Sequence, residues 1–472
     1  MVSDIRLRPA INPPALWAVG LAAVVSVGAG IATAIGPLYA LVAIALVAVV
    51  ACIWKWPQLG AYLIIGLTPL TAGINRGSAI PFVRPNEAIV LLVAFALATR
   101  YIGRLRTGEL PRPRIDRVEL SMVLLAVFSS VVPLAWMTVR RSPIANDDLL
   151  YALDLWKYLG LYALVRMSVK TDRQVAGALT ISVIAASIVA VLAILQSLGL
   201  FGVSGILAEY YAPFGYTDAF SGRGGSTLGL PAATADLMIY NLAIVSGLWI
   251  RYRRVRVLLA PAAALLLLAG LAAGEFSSSI GLVVAVVCIV AVTGSARLLK
   301  VFVPMGLLSG IVVWPVIAER LSGFQSLSGL PVSWLGRLQN LETYFWPQLF
   351  SNGNFLLGVR PAARIVVASQ GTGYVWIESG YTWLLWGGGI PLLASFVYFV
   401  VVTAKRGWDA ARRGTGAVSV AGLALFVAVG VTAVLMLFDP HLTYRGAGDE
   451  LFALIALTAA VRRQNGQEVQ ER

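Results

Sequence analysis

The chain has 472 residues, 59% hydrophobic and 12% charged, with a formal net charge of +14 and a mean hydropathy of +0.83. Soluble domains carry about a quarter charged residues, so this composition excludes a soluble globular protein and points to a polytopic membrane protein. A basic excess would suggest nucleic acid in a soluble chain, but across many apolar runs it serves to orient spans, and no nucleic acid is expected as a partner.

The N-terminal stretch MVSDIRLRPAINPP is short and basic. The apolar run after it is too long for a signal-peptide core and reads as an uncleaved first span. A crossing helix needs about 20 apolar residues. On that measure fourteen candidate spans follow one another at 15–35, 37–54, 58–73, 86–102, 118–138, 147–166, 174–198, 228–250, 256–273, 277–294, 299–318, 378–402, 416–438 and 447–462. The third is short and the sixth carries charges. The predicted fold is all-α: one integral membrane domain over 1–472 with about 12–14 transmembrane helices. Cys52 and Cys288 both fall inside apolar runs, form no disulfide framework, and read as small buried hydrophobes.

With the N-terminus placed in the cytoplasm and the spans alternating, 25 of the 36 basic residues fall on the inner side. This is the sign that the positive-inside rule requires. Both termini are then cytoplasmic, and the expected location is the cytoplasmic membrane of a bacterium. Lys157 lies inside a span. Arg76, Arg84, Arg140, Arg141, Arg223, Arg320, Arg337, Arg360, Arg364 and Arg445 remain outside. Two outer loops are long, 199–227 and 319–377. Loops of this kind carry function more often than the scaffold does. The second contains WLGRLQNLETYFWPQLF, whose apolar spacing predicts an amphipathic helix lying on the membrane.

Arginine suits phosphate because its planar fork donates two parallel hydrogen bonds. The chain holds 31 Arg and 5 Lys, so residue type alone says little. Position says more: Arg223, Arg337, Arg360, Arg364 and Arg445 lie in or beside the long loops and the last outer turn. Salt bridges or lipid headgroup contacts are the plainer reading of the same residues. The outer carboxylates include Asp147, Asp148, Asp218, Glu275, Glu378, Asp439, Asp449 and Glu450. No DxD triplet occurs, and the lone histidine, His441, excludes an HExxH or His-Cys zinc site. Chemistry without a metal or cofactor is the expectation. His441 either caps a turn after Pro440 or orients substrate, sharing a proton with Asp439 or Glu378. Asp154 and Lys157, three residues apart on a helix, read as an intramembrane ion pair. Glu275 either caps the helix after it or faces a ligand.

Several stretches together resemble the O-antigen ligase and polymerase superfamily. They are FSGRGGSTLGLPAATADLMIYNLAI (220–244), LDLWKYLGLYALVR (153–166), WLGRLQNLETYFWP (334–347), and FDPHLTYRGAGDELFALIAL (438–457). The polar residue, Tyr and Gly cluster that open the span after the long loop add to the likeness, which covers roughly 85–460. It implies transfer of a glycan from an undecaprenyl diphosphate carrier, on the outer membrane face, to a hydroxyl of another glycan or a lipid. Outer arginines would hold the diphosphate, membrane lipids would surround the site, and a partner that sets chain length is compatible with it. Where the ligases keep a histidine proposed as the base, this chain reads Trp-Ile-Glu-Ser-Gly-Tyr (376–381). That departure favours an exopolysaccharide or O-antigen polymerase.

Such a transfer needs the acceptor hydroxyl to lose a proton and the departing diphosphate to be stabilised. Glu378 is the candidate base and Arg337 the candidate catalytic cation. Arg223, Arg360, Arg364, Tyr381, His441 and Arg445 are the candidate substrate-binding residues. Burial would raise the Glu378 carboxyl toward neutrality, while a helix start favours its ionised form. A simple capping role fits the same position. Tyr381 shares a helix face with Glu378, and Gly387, Gly388 and Gly389 suit close helix approach. The rival class is an ion-coupled transporter or lipid-linked glycan flippase, which the Asp154–Lys157 pair would suit. Against it, no pseudo-symmetric halves are visible in the sequence. A peptidoglycan glycosyltransferase of the shape and division type has fewer spans, and the short first outer link argues against a lipid-phosphate-sugar transferase.

Overall fold

The structure, a computed structural model, describes residues 37–78, 80, 83–105, 115–211, 222–294, 296, 299–322, 332–367 and 373–460. The expected span at 15–35, Asp218 and the basic tail beyond 460 lie outside the described residues.

Among the described residues the architecture is helical, with one short ribbon. The first helices are α1 Pro37–Lys55, α2 Gln58–Thr71, α3 Pro85–Leu105 and α4 Arg117–Val139. Next come α5 Asn146–Ala152, α6 Asp154–Ser168, α7 Asp172–Ser197 and α8 Val203–Tyr211. The centre holds α9 Pro231–Arg251, α10 Arg256–Ala272, α11 Phe276–Thr293, α12 Leu299–Val312 and α13 Trp314–Ser322. The long connection contains α14 Val332–Asn340, α15 Trp346–Phe350, α16 Asn354–Leu357, β1 Arg364–Val366 and β2 Tyr374–Trp376. The chain then forms α17 Gly380–Arg413, α18 Gly416–Leu435 and α19 Ala447–Ala459. Among the described residues eight helices are long and apolar enough to cross a membrane: α3, α4, α7, α9, α10 with the turn before it, α11, α17 and α18. The chain is a multi-pass helical membrane protein.

Local chemistry sets several boundaries. Asp116 caps α4, accepting from the Val118 and Glu119 amides, and Glu119 answers to the Asp116 amide. Thr171 and Gln174 do the same for α7. The expected span at 147–166 is two helices, α5 and α6, joined at Leu153. The run at 299–318 likewise breaks at Val313.

The centre of the bundle is α9, in which every residue from Pro231 to Gly247 is buried. Its small residues, in PAATADLMIYNLAIVSG, let neighbouring backbones approach closely, which is how helices pack where lipid offers no hydrophobic drive. It packs against α7, α10, α11, α18 and α19.

Helix α17 runs 34 residues but is interrupted at Gly389, with φ 66° and ψ −157°. A Cβ on Gly388 would strike the Phe128 carbonyl of α4, and one on Gly389 would strike the Leu356 backbone. The glycine cluster therefore admits the long connection as well as a helix. In the interruption the Trp386 carbonyl accepts from Val359 N at 2.7 Å and Arg360 N at 3.3 Å.

The connection 332–377 is pinned to the bundle. Arg364–Val366 and Tyr374–Trp376 pair antiparallel. Leu341, Phe345 and Leu349 are buried, and Phe345 meets Trp386 edge-on at 5.3 Å. The apolar residues expected to lie on a membrane are instead turned in large part onto the protein.

Candidate active site

The site forms where the connections α8–α9, α10–α11, α13–α17 and α18–α19 meet at one end of the bundle. Its foundation is aromatic. Trp334 of α14 lies between Phe276, at 6.4 Å, and Phe438, at 5.0 Å. Each phenylalanine has a carboxylate neighbour in sequence, Glu275 and Asp439. Arg337 is one turn beyond Trp334, on the same side of α14. Seating Trp334 between the two rings therefore delivers Arg337 into a ring of acids.

There Arg337 Nη1 donates to Asp439 Oδ2 at 2.8 Å, and its Nε lies 3.5 Å from Glu378 Oε1. Asn340, three residues on, reaches Glu378 Oε2 at 3.5 Å. Arg223 Nη1 faces Glu275 Oε1 at 3.3 Å, and Glu275 is within electrostatic reach of both Arg337 and Glu378. Arg223, Arg337 and Glu378 thus belong to one cluster.

Burial raises the Glu378 carboxyl above its ordinary value, against the pull of Arg337, and Asp439 and Glu275 add to the rise. Asp439 is raised for the same first reason, with Arg337 and His441 opposing. For Arg337, burial works against its charge, but Asp439, Glu378 and Glu275 outweigh it and hold the guanidinium ionised. Three carboxylates, Glu275, Glu378 and Asp439, thus face the two guanidinium groups of Arg223 and Arg337. Two of the acids differ in setting: the Glu378 side chain is 33% exposed and that of Asp439 is 11% exposed. Glu378 is the more accessible of the two.

Behind this pocket, His441 Nδ1 meets Asp236 Oδ2 of α9 at 2.6 Å, and both side chains are 1% exposed. The expected proton partners of His441 were Asp439 and Glu378; its direct partner is Asp236. The His441 ring also packs on Tyr444 at 4.6 Å, and its backbone amide donates to the Asp439 carbonyl at 2.7 Å. The histidine fastens the last turn to α9 and so fixes the position of Asp439. Asp236 was missed because it lies within an apolar run. An ionisable residue in a span is itself a functional signal, and that signal was present.

Other candidates lie apart from the cluster. Arg360 donates to Asp148 from Nε at 2.8 Å and from Nη2 at 2.5 Å. Asp148 also accepts from the Ala145 and Ala362 amides at 2.9 and 3.2 Å. Arg364 pairs with Asp147 and lies over the Tyr374 ring at 4.2 Å. Arg140 donates to Asn354 and to the Val359 carbonyl. These arginines clasp the long connection to the α4–α5 turn. Tyr381 donates to the Ala433 carbonyl of α18 at 2.8 Å, so its hydroxyl is occupied in packing. Arg445 lies within electrostatic reach of Arg84 and Asp154, on a different flank. Lys157 makes its ion pair with Asp449 of α19 at 3.0 Å rather than with Asp154, so the charge tie runs between helices and not along one.

Compared with known proteins, the chain matches no family model and no curated protein.

Proposed function

We propose that this chain is a membrane glycosyltransferase of the O-antigen polymerase and ligase type. It would span the cytoplasmic membrane of a bacterium 12–14 times, with both termini inside and the Arg337 cluster on the outer face. Its donor is an undecaprenyl-diphosphate-linked glycan, and its acceptor is a hydroxyl on another glycan or a lipid. The carrying observation is the position of Arg337 between Glu378 and Asp439, at 3.5 and 2.8 Å, with Arg223 and Glu275 alongside. The resemblance in 220–244 and 438–457 supports the same reading.

In this reaction the acceptor oxygen attacks the anomeric carbon as the bond to the diphosphate oxygen breaks. The acceptor proton passes to Glu378. The negative charge that develops on the diphosphate is met by Arg337 and Arg223. A positioned base contributes about 10²–10⁴-fold, and preorganised cations in a water-poor site contribute several kcal/mol more. Asp439 holds Arg337, and His441 with Asp236 holds Asp439.

A transporter is the second reading, and the Lys157–Asp449 pair between α6 and α19 favours it. Purified protein in liposomes separates the two. A transferase lengthens or relocates the glycan of a fluorescent carrier lipid, with or without EDTA. A transporter moves that lipid between leaflets and leaves its glycan unchanged.

A further inference from the structure

Ser182 of α7, Asn241 of α9 and Glu450 of α19 meet in the helical core, at 3%, 0% and 6% exposure. Ser182 Oγ lies 2.8 Å from Asn241 Oδ1 and 2.6 Å from Glu450 Oε1. Both distances are those of O–H···O hydrogen bonds. A hydroxyl has one proton, so it can donate to only one of these two oxygens. The other contact needs a proton from elsewhere.

The amide does not supply it. Asn241 Nδ2 donates to the Leu237 carbonyl at 3.0 Å, which fixes Oδ1 toward Ser182. Rotating the amide would set its oxygen against that carbonyl. The Asn241 side chain lies within electrostatic reach of the Glu450 carboxyl. The remaining source is Glu450 itself.

We propose that Ser182, Asn241 and Glu450 form a proton-binding site inside the bundle, with Glu450 protonated at neutral pH. The Glu450 O–H donates to Ser182, the Ser182 O–H donates to Asn241 Oδ1, and the Asn241 amide donates to the Leu237 carbonyl. Each proton in this relay then has one donor and one acceptor, as a buried polar network requires. An ionised Glu450 would instead leave one short oxygen–oxygen contact without a proton and a buried charge without a cation. Among the described residues Glu450 forms no ion pair. Tyr240 on α9 is within electrostatic reach of it, with its hydroxyl engaged by Thr432 on α18 at 2.8 Å, and the adjacent Asp449 is taken by Lys157 on α6. Separations of 2.6 and 2.8 Å suit a shared proton; oxygens around a metal cation stand farther apart because the ion lies between them.

The protonated relay ties α7, α9 and α19 together. Infrared spectra of the full-length protein in nanodiscs at neutral pH, wild type against Glu450→Gln, test the assignment. The expected difference is loss of one neutral carboxylic-acid C=O band. Glu450→Gln, which keeps a donor and an acceptor, should melt close to wild type, while Glu450→Ala melts well below both. Replacing sodium with choline should leave wild-type melting unchanged. A difference spectrum showing only an ionised carboxylate overturns the proposal. So does Glu450→Gln melting as low as Glu450→Ala, or sodium stabilising wild type but not Glu450→Gln, which would make this a cation site.

Discussion

Arg337 of α14 is held between Asp439, at 2.8 Å, and Glu378, at 3.5 Å. The first partner is 102 residues away in sequence, beyond α15, α16, α17 and α18. The arginine therefore reports whether the long connection and the last turn are correctly placed. It also carries two carboxylates whose charge it must share.

The first expectation concerns this sharing. Arg337→Lys keeps the charge but loses the fork that reaches both acids. Turnover of a lipid-linked donor should fall about 10²–10³-fold, with insertion into the membrane unchanged. Single-turnover rates on purified protein measure this, and a lysine variant within a few-fold of wild type would remove Arg337 from the chemistry.

The second concerns pH. Folding raises the Glu378 and Asp439 carboxyls, through burial in both cases. Each raised group contributes stability that is complete below its unfolded value and is lost as pH rises through its folded value. Catalysis has the opposite requirement, since a base must be ionised. The rate should climb with pH through a window above the ordinary carboxylate range, while melting temperature declines across it. Asp439→Asn removes one of the charges that raise Glu378, so its acid limb should move to lower pH. An acid limb that stays in place in this variant contradicts the coupling.

The clasp between Arg360 and Asp148 yields a third expectation. Asp148 is fully buried and accepts from four donors. Asp148→Ala leaves Arg360 unpaired, at a cost on the order of 3 kcal/mol. Protease cleavage within 332–367 should rise in this variant while the spans remain resistant. Equal cleavage of wild type and variant would show that the clasp does not hold the connection.

The buried His441–Asp236 pair gives a fourth. His441→Ala and Asp236→Ala should each destabilise the protein, and the double variant should cost less than their sum. A coupling of about 1–3 kcal/mol is expected for residues in one network. Additive losses in a double-mutant cycle would mean that the 2.6 Å contact does no energetic work.

The helices were legible in the sequence because membrane spans are long, apolar and capped by local chemistry. The interruption at Gly389 was not, since it is set by the approach of the Leu356 backbone rather than by the run itself. Glu378 and Arg337 were visible as separate oddities, a carboxylate at a helix start and an outer arginine. Their meeting depends on Trp334 settling between Phe276 and Phe438, a tertiary event with no local signature. The same holds for Asp147 and Asp148, whose partners Arg364 and Arg360 are more than two hundred residues away. Asp236 was hidden by its span, and Lys157 found Asp449 on another helix instead of its own neighbour Asp154.

Glu378→Gln keeps the shape and the contact to Asn340 while removing the proposed base. In liposomes holding a fluorescent undecaprenyl-diphosphate oligosaccharide and a glycan acceptor, wild-type protein should transfer the glycan. Glu378→Gln should bind the donor normally and transfer it about 10²–10⁴-fold more slowly. Transfer by Glu378→Gln at the wild-type rate, or no transfer by wild type beside movement of the lipid between leaflets, would contradict the assignment.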